Sequence, residues 1–163
     1  MVEMGEECDK GDNIEGDGCG RDCKTEHPEV CPGTAIHLAK GMPVTVNGDT
    51  TGATDKFVDY PGGLPGSCGS MSKIWTGPDF VYAVEPQASG SMTLNLTSQY
   101  DNPVIHVRTD CNGGPATEIS CERLYTPGFV SLSMAVVAGT TYYVAADSSN
   151  GSFGTFSLTF TLQ

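Results

Sequence analysis

Positive charge is scarce in this chain: its 163 residues carry eight Lys and Arg against twenty Asp and Glu, a net charge of −12. Affinity for nucleic acid depends on Lys and Arg neutralising phosphates, so a phosphate backbone is excluded as a natural partner. No stretch approaches the roughly 20 consecutive apolar residues that a membrane helix needs. The opening "MVEMGEEC" has neither the basic start nor the apolar run of a secretory signal. No HExxH and no GxSxG occurs, and His27, His37 and His106 are scattered without metal-ligand spacing. The serine-rich "GSCGSMS" has no nearby histidine to act as a base. With no nucleophile, base and orienting group in one constellation, no catalytic residue is assigned. His106 lies mid-strand with Arg108, out of phase with Ile105 and Val107, and is expected to face solvent.

What the chain has in quantity is Gly (21), Pro (10), Thr, Ser and Val, the mix of short strands joined by turns. Period-two alternation marks the strands. Met92, Leu94 and Leu96 share one face of "SMTLNLT", and Val130, Leu132, Met134 and Val136 share one face of "FVSLSMAVV". Phe156, Leu158, Phe160 and Leu162 do the same in "GTFSLTFTL". "DFVYAVEP", "PVIHVRT" and "TYYVAAD" read likewise, with "MPVTVNG" and "DKFVDY" as weaker candidates. The expected fold is all-β: an antiparallel two-sheet β-sandwich, jelly-roll-like, of about eight or nine strands, with no helix. A small, irregular, disulfide-stapled N-terminal segment precedes it. The expected division is 1–27 for that segment and 28–163 for the sandwich.

The N-terminal segment is too poor in apolar residues to fold by burial alone. Ten of the twenty acids lie in the first 30 residues, with only Lys10, Arg21 and Lys24 to offset them. Seven cysteines suggest an oxidising compartment, hence a secreted or cell-surface protein. Cys19 and Cys23 have zinc-like spacing, but no second pair completes four ligands, so disulfides are favoured over zinc. Cys111 and Cys121 bracket "NGGPATEIS" and are expected to pair across a hairpin-like return. Cys31 is expected to pair with Cys68 across a long loop, where a cross-link removes most chain entropy. Cys8 pairs with Cys23 or with Cys19, and the spacing leaves both open.

"GEECDKGDNIEGDGCGRDC" resembles the Myxococcus-type cysteine-rich repeat, with Lys10 and Asp12 as departures. The cysteine that usually begins a copy is missing, so the chain is expected to start partway into a repeat. Residues 31–163 resemble the pre-peptidase C-terminal type of β-sandwich through "GPDFVYAVEP", "VIHVRTDCNGG…ISC" and "VVAGTTYYVAADSSNGSFGTFSLTF". That resemblance implies an accessory domain used for adhesion or presentation beside secreted enzymes.

Asn13, Glu15 and Asp17 alternate as in the opening of an EF-hand, but the closing Glu would fall at Lys24 and no helix flanks it, which rejects that motif. A different calcium loop built from Asp9, Asp12, Asn13, Glu15 and Asp17, and a disulfide knot with solvated acids, both remain open. Tyr60, Trp75, Tyr100, Tyr125 and Tyr143 are not clearly buried by strand phase and are candidate ligand contacts. Asn95 and Asn150 begin glycosylation sequons. The functional expectation is a non-catalytic secreted or surface module that binds an extracellular polysaccharide or protein. The alternatives are a structural module of a larger secreted enzyme and a calcium-stabilised linker. If the acidic loop holds calcium, replacing EDTA with excess Ca²⁺ raises the melting temperature, because a ligand of the folded state alone stabilises it; an unchanged Tm removes the ion.

Overall fold

The computed structural model describes residues 30–57, 68 and 77–163. The candidate calcium ligands Asp9, Asp12, Asn13, Glu15 and Asp17, the cysteines Cys8, Cys19 and Cys23, and Tyr60 and Trp75 lie outside the described residues.

Nine strands are present among the described residues: β1 (Thr34–Leu38), β2 (Val44–Asp49), β3 (Phe80–Pro86), β4 (Gly90–Ser98), β5 (Pro103–Arg108), β6 (Glu118–Arg123), β7 (Phe129–Val136), β8 (Tyr142–Ser148) and β9 (Thr155–Leu162). A single 3-10 turn, Pro115–Thr117, precedes β6. One sheet has the order β1-β3-β8-β5-β6 and the other β2-β9-β4-β7. The chain is therefore a two-sheet sandwich. One pairing departs from the expected antiparallel pattern: β1 runs parallel to β3, with Thr34 opposite Tyr82. Neither β1 nor β6 was marked by alternation, and the "DKFVDY" candidate is not a strand over residues 55–57.

The alternating residues meet between the sheets. Met92, Leu94 and Leu96 of β4, Leu158, Phe160 and Leu162 of β9, and Tyr82, Val84, Ile105 and Val144 of the facing sheet form one buried cluster. Each such side chain contributes about 1.5–3 kcal/mol by leaving water.

The five-stranded sheet is also covered on its other side. Every residue of β5 is buried, and all but one of β8. Phe57, Val81, Cys111 and Ala145 form a second buried cluster there, with Cys31 and Tyr143 packed against it. In register, Val81 lies opposite Ala145, Ala145 opposite His106, and His106 opposite Cys121, so one row crosses four strands beneath that cover. Close packing fixes the entry to β1: Gly33 has φ +79°, and a Cβ on it would lie 2.0 Å from the Val81 carbonyl oxygen.

Among the described residues the disulfides are Cys31–Cys111 and Cys68–Cys121. Both expected pairs, Cys111–Cys121 and Cys31–Cys68, are therefore corrected. The loop closes between the two cysteines, leaving Cys111 inside it and Cys121 outside: the Thr109 N–H donates to the Thr117 carbonyl, and the Thr117 hydroxyl reaches the Asp110 and Gly114 carbonyls. Cys121 thereby falls opposite His106, well back along the hairpin, and each cysteine finds a partner from a different covering segment. Peptide mapping under non-reducing conditions will recover the Cys31–Cys111 and Cys68–Cys121 peptides. Dominant recovery of Cys31–Cys68 or Cys111–Cys121 would overturn this register.

Candidate functional site

Two features carry chemistry, one open and one sealed. The open one is the outer face of the four-stranded sheet. Inward positions of β2, β9, β4 and β7 are apolar, so the intervening residues point to solvent. They fall into rows across the strands: Asn47, Ser157, Thr97 and Phe129; then Thr45, Thr159, Asn95 and Ser131; then Thr161, Thr93 and Ser133. Ser91 and Ala135 end the array on β4 and β7, and Thr155 extends β9 at the opposite end. None of these side chains is charged. The nearest carboxylate is Asp49 at the end of β2, and it is turned onto Thr51, accepting from the Thr51 N–H at 2.9 Å and hydroxyl at 2.6 Å.

The hydroxyls are tied to one another across strands. Thr45 and Thr159 hydroxyls lie 2.8 Å apart, and Ser133 meets both Ser91 (3.2 Å) and Thr93 (3.1 Å). Ser131 donates to the Asn95 Oδ1 at 2.8 Å. At the Phe129 end of the face is a shallow pocket of about 490 Å³, lined by Asn47, Gly48, Thr97, Gln99, Thr155, Phe156 and Ser157. Phe129 stands opposite Thr97 with its side chain 58% exposed.

The sealed feature lies beneath the cover of the other sheet. His106 Nδ1 is 2.8 Å from Glu118 Oε2 and its Nε2 is 3.1 Å from Asp147 Oδ2. The His106 and Asp147 side chains and that of Glu118 are fully buried. Arg108 Nε lies 3.7 Å from Glu118, and the guanidinium sits 4.2 Å above the Phe57 ring. Asp79 accepts the backbone N–H groups of Lys56 and Phe57 at 2.8 and 2.7 Å, which pins Phe57 in place as the lid. His106 is thus corrected from the solvent-facing residue expected of a sheet with one wet face.

Burial alone drives His106 toward its neutral form. Hydrogen bonds to Asp147 and Glu118, together with their charges, outweigh it and push its pKa up to about 10. Burial and then the charge of Asp147 raise Asp79 to about 8 and Asp55 to about 6. His106, Glu118 and Cys121 place ligand atoms within 4.8 Å of one another. They do not fit a metal, because the Cys121 sulfur is bonded to Cys68 and both imidazole nitrogens face carboxylates. The cluster locks β5, β6 and β8 together.

Of the aromatic residues expected on the surface, Tyr125 is 64% exposed, with the Arg123 guanidinium 5.0 Å over its ring. Tyr143 is half-buried against the covering cluster. Tyr100 is corrected: it is 3% exposed and belongs to the inter-sheet core, and burial pushes its phenol up in pKa. Phe129 and the hydroxyl rows were not singled out from sequence. The signal was there in the polar half of each alternation, where "SMTLNLT" and "GTFSLTFTL" place only Ser, Thr, Asn and Gly between their apolar residues.

No family model matches the chain, and no curated protein matches it. Solved structures give loose likenesses. The pre-peptidase C-terminal domain of a collagenase from Bacillus anthracis is 9% identical with TM-score 0.47, covering 80% of this chain and 98% of that one. PliG of Aeromonas hydrophila, a periplasmic inhibitor of g-type lysozyme, is 14% identical with TM-score 0.44, covering 79% and 97%. The CBM35 from Cellvibrio japonicus Abf62 is 13% identical with TM-score 0.41, covering 73% and 92%.

The ionic cluster predicts the pH dependence of stability. His106 has a folded pKa above its ordinary 6.5, so its contribution is complete below that value and lost as pH rises toward 10. Asp79 and Asp55 are raised from 3.8, so their deprotonation also costs stability as pH rises, through about 8 and about 6. All three act in one direction: thermal denaturation followed by circular dichroism will give a higher Tm at pH 5.5 than at pH 9.5. His106→Asn will cost about 3–5 kcal/mol at pH 6 by leaving two buried carboxylates without their cation. It will also flatten the slope above pH 7.

Proposed function

We propose that this chain is a non-catalytic accessory module of the cell exterior, binding a polymer or partner protein through the outer face of its four-stranded sheet. One observation carries this reading: in a chain of net charge −12, the outward positions of four adjacent strands hold hydroxyls, amides, one alanine and one phenylalanine, with a single charge, Asp49, at the end of β2. Exposed sheet faces are the ordinary place for Lys and Glu, and charge-free ones are depleted in the groups that keep proteins apart. The two disulfides support an oxidising, secreted or surface location. Among the described residues no helix is long and apolar enough to cross a membrane.

The titratable cluster around His106 supports a non-catalytic role, since its carboxylates and imidazole are spent on one another beneath Phe57. The second reading, a purely structural module of a larger secreted enzyme, is favoured by the same cluster and disulfides.

A glycan and matrix-protein array separates the two. The binding reading expects at least one retained ligand, and Thr159→Lys at the centre of the face will weaken it about tenfold or more while leaving the Tm within a degree or two. A blank array, or retention indifferent to Thr159→Lys, would transfer the chain to the structural reading.

A further inference from the structure

We propose that the pocket beside Phe129 is a subsite for one ring of an uncharged polysaccharide; this rests on the reading of the outer face as a binding surface and names its ligand class. The lining chemistry selects for polyhydroxylated, neutral matter. Asn47 and Gln99 each bring a carboxamide, which donates two N–H groups and accepts at its oxygen, and Thr97, Thr155 and Ser157 bring hydroxyls that do both. That set matches a sugar's neighbouring hydroxyls, each at once donor and acceptor. No Lys or Arg lines the pocket, so a uronate, sulfate or phosphate would find no counter-charge there. The strong negative charge of the chain opposes a polyanion further.

The apolar side of a sugar ring also has its counterpart. Phe129, directly across from Thr97 in the neighbouring strand, offers an exposed ring at the pocket's edge. Beneath the pocket the ring of Phe156 lies in the inter-sheet core and is held edge-on by Phe80, with centroids 5.8 Å apart and planes at 83°. It lies so close to β2 that a Cβ on Gly48 would come within 2.6 Å of its Cε1 and Cζ and 2.9 Å of Phe80. The absent side chain is what admits the ring, so the strands that carry Asn47 and Ser157 are packed together before any ligand arrives. A volume of about 490 Å³ falls within the usual range for a small-ligand pocket, roughly 300–1,000 Å³. The hydroxyl rows beyond it continue the same uncharged chemistry, as an extended chain rather than a lone sugar requires.

The test is calorimetric titration with soluble glucan, mannan and xylan, with polygalacturonate and heparin as charged probes. At least one neutral polymer should bind and neither polyanion should. Asn47→Ala and Gln99→Ala should each weaken that binding about tenfold, in line with a lost side-chain hydrogen bond, and Phe129→Ala should weaken it several-fold. Should a variant lose its fold, the wild-type protein answers by NMR: the Asn47 and Gln99 side-chain amide signals must shift on adding the neutral polymer. Neutral binding that leaves those signals and variants unmoved overturns the subsite, while the binding-module reading stands. Capture of only a protein or a polyanion overturns the ligand class and again spares that reading. If nothing binds in the titrations or on the array, both fall.

Discussion

The central strands of the five-stranded sheet, β5 and β8, have water on neither face, and the rest of the molecule is arranged around that constraint. β5 and β8 sit at its centre, so side chains on their outer side are as buried as those turned to the core. His106, Asp147 and Arg108 occupy that side, and a buried charge must be paired or neutralised. Glu118 from β6 and Asp147 from β8 take both nitrogens of His106, and the resulting chain of contacts joins three adjacent strands. Phe57 closes over the cluster because Asp79 captures its backbone N–H, and Cys68 is bonded to Cys121, which stands opposite His106.

The other sheet carries one ionic side chain, Asp49 at the end of β2. Its inner face supplies the core, and the rest of its outer face presents hydroxyls, amides, one alanine and a single aromatic group. A rigid sandwich with two disulfides holds those groups at strand spacing, about 4.8 Å between neighbouring strands. Their mutual hydrogen bonds fix the rotamers further. An ordered surface of this kind loses little entropy on binding. Beneath the pocket the inward pattern breaks: Gly48 occupies an inward position, and the ring of Phe156 fills the missing volume.

Much of the sandwich was legible in the residues themselves. Period two in β4, β7 and β9 named the inward side chains, because a strand exposes alternate residues to opposite environments whatever it packs against. The same rule failed for β5. "PVIHVR" alternates, and alternation says one face is wet, but the cover formed by Phe57 and the disulfides comes from distant segments and carries no local signal. Tyr100 was misjudged for a similar reason: it lies just beyond the end of β4, where strand phase no longer assigns a face, and the chain turns it inward. β1 was invisible as a strand because a five-residue edge strand depends on its partner, and its parallel pairing to β3 is a matter of how a chain returns.

The order of amino acids alone determined the fold class, the oxidising chemistry, the poverty of positive charge and the apolar half of each strand, since these follow from composition and period. Tertiary structure alone decided which cysteines meet, which polar residues are sealed and which surface is left open. Those outcomes depend on contacts between segments far apart in the chain, 80 residues for Cys31 and Cys111 and 114 for Thr45 and Thr159. Register and layer order, not local propensity, bring such segments within bonding distance.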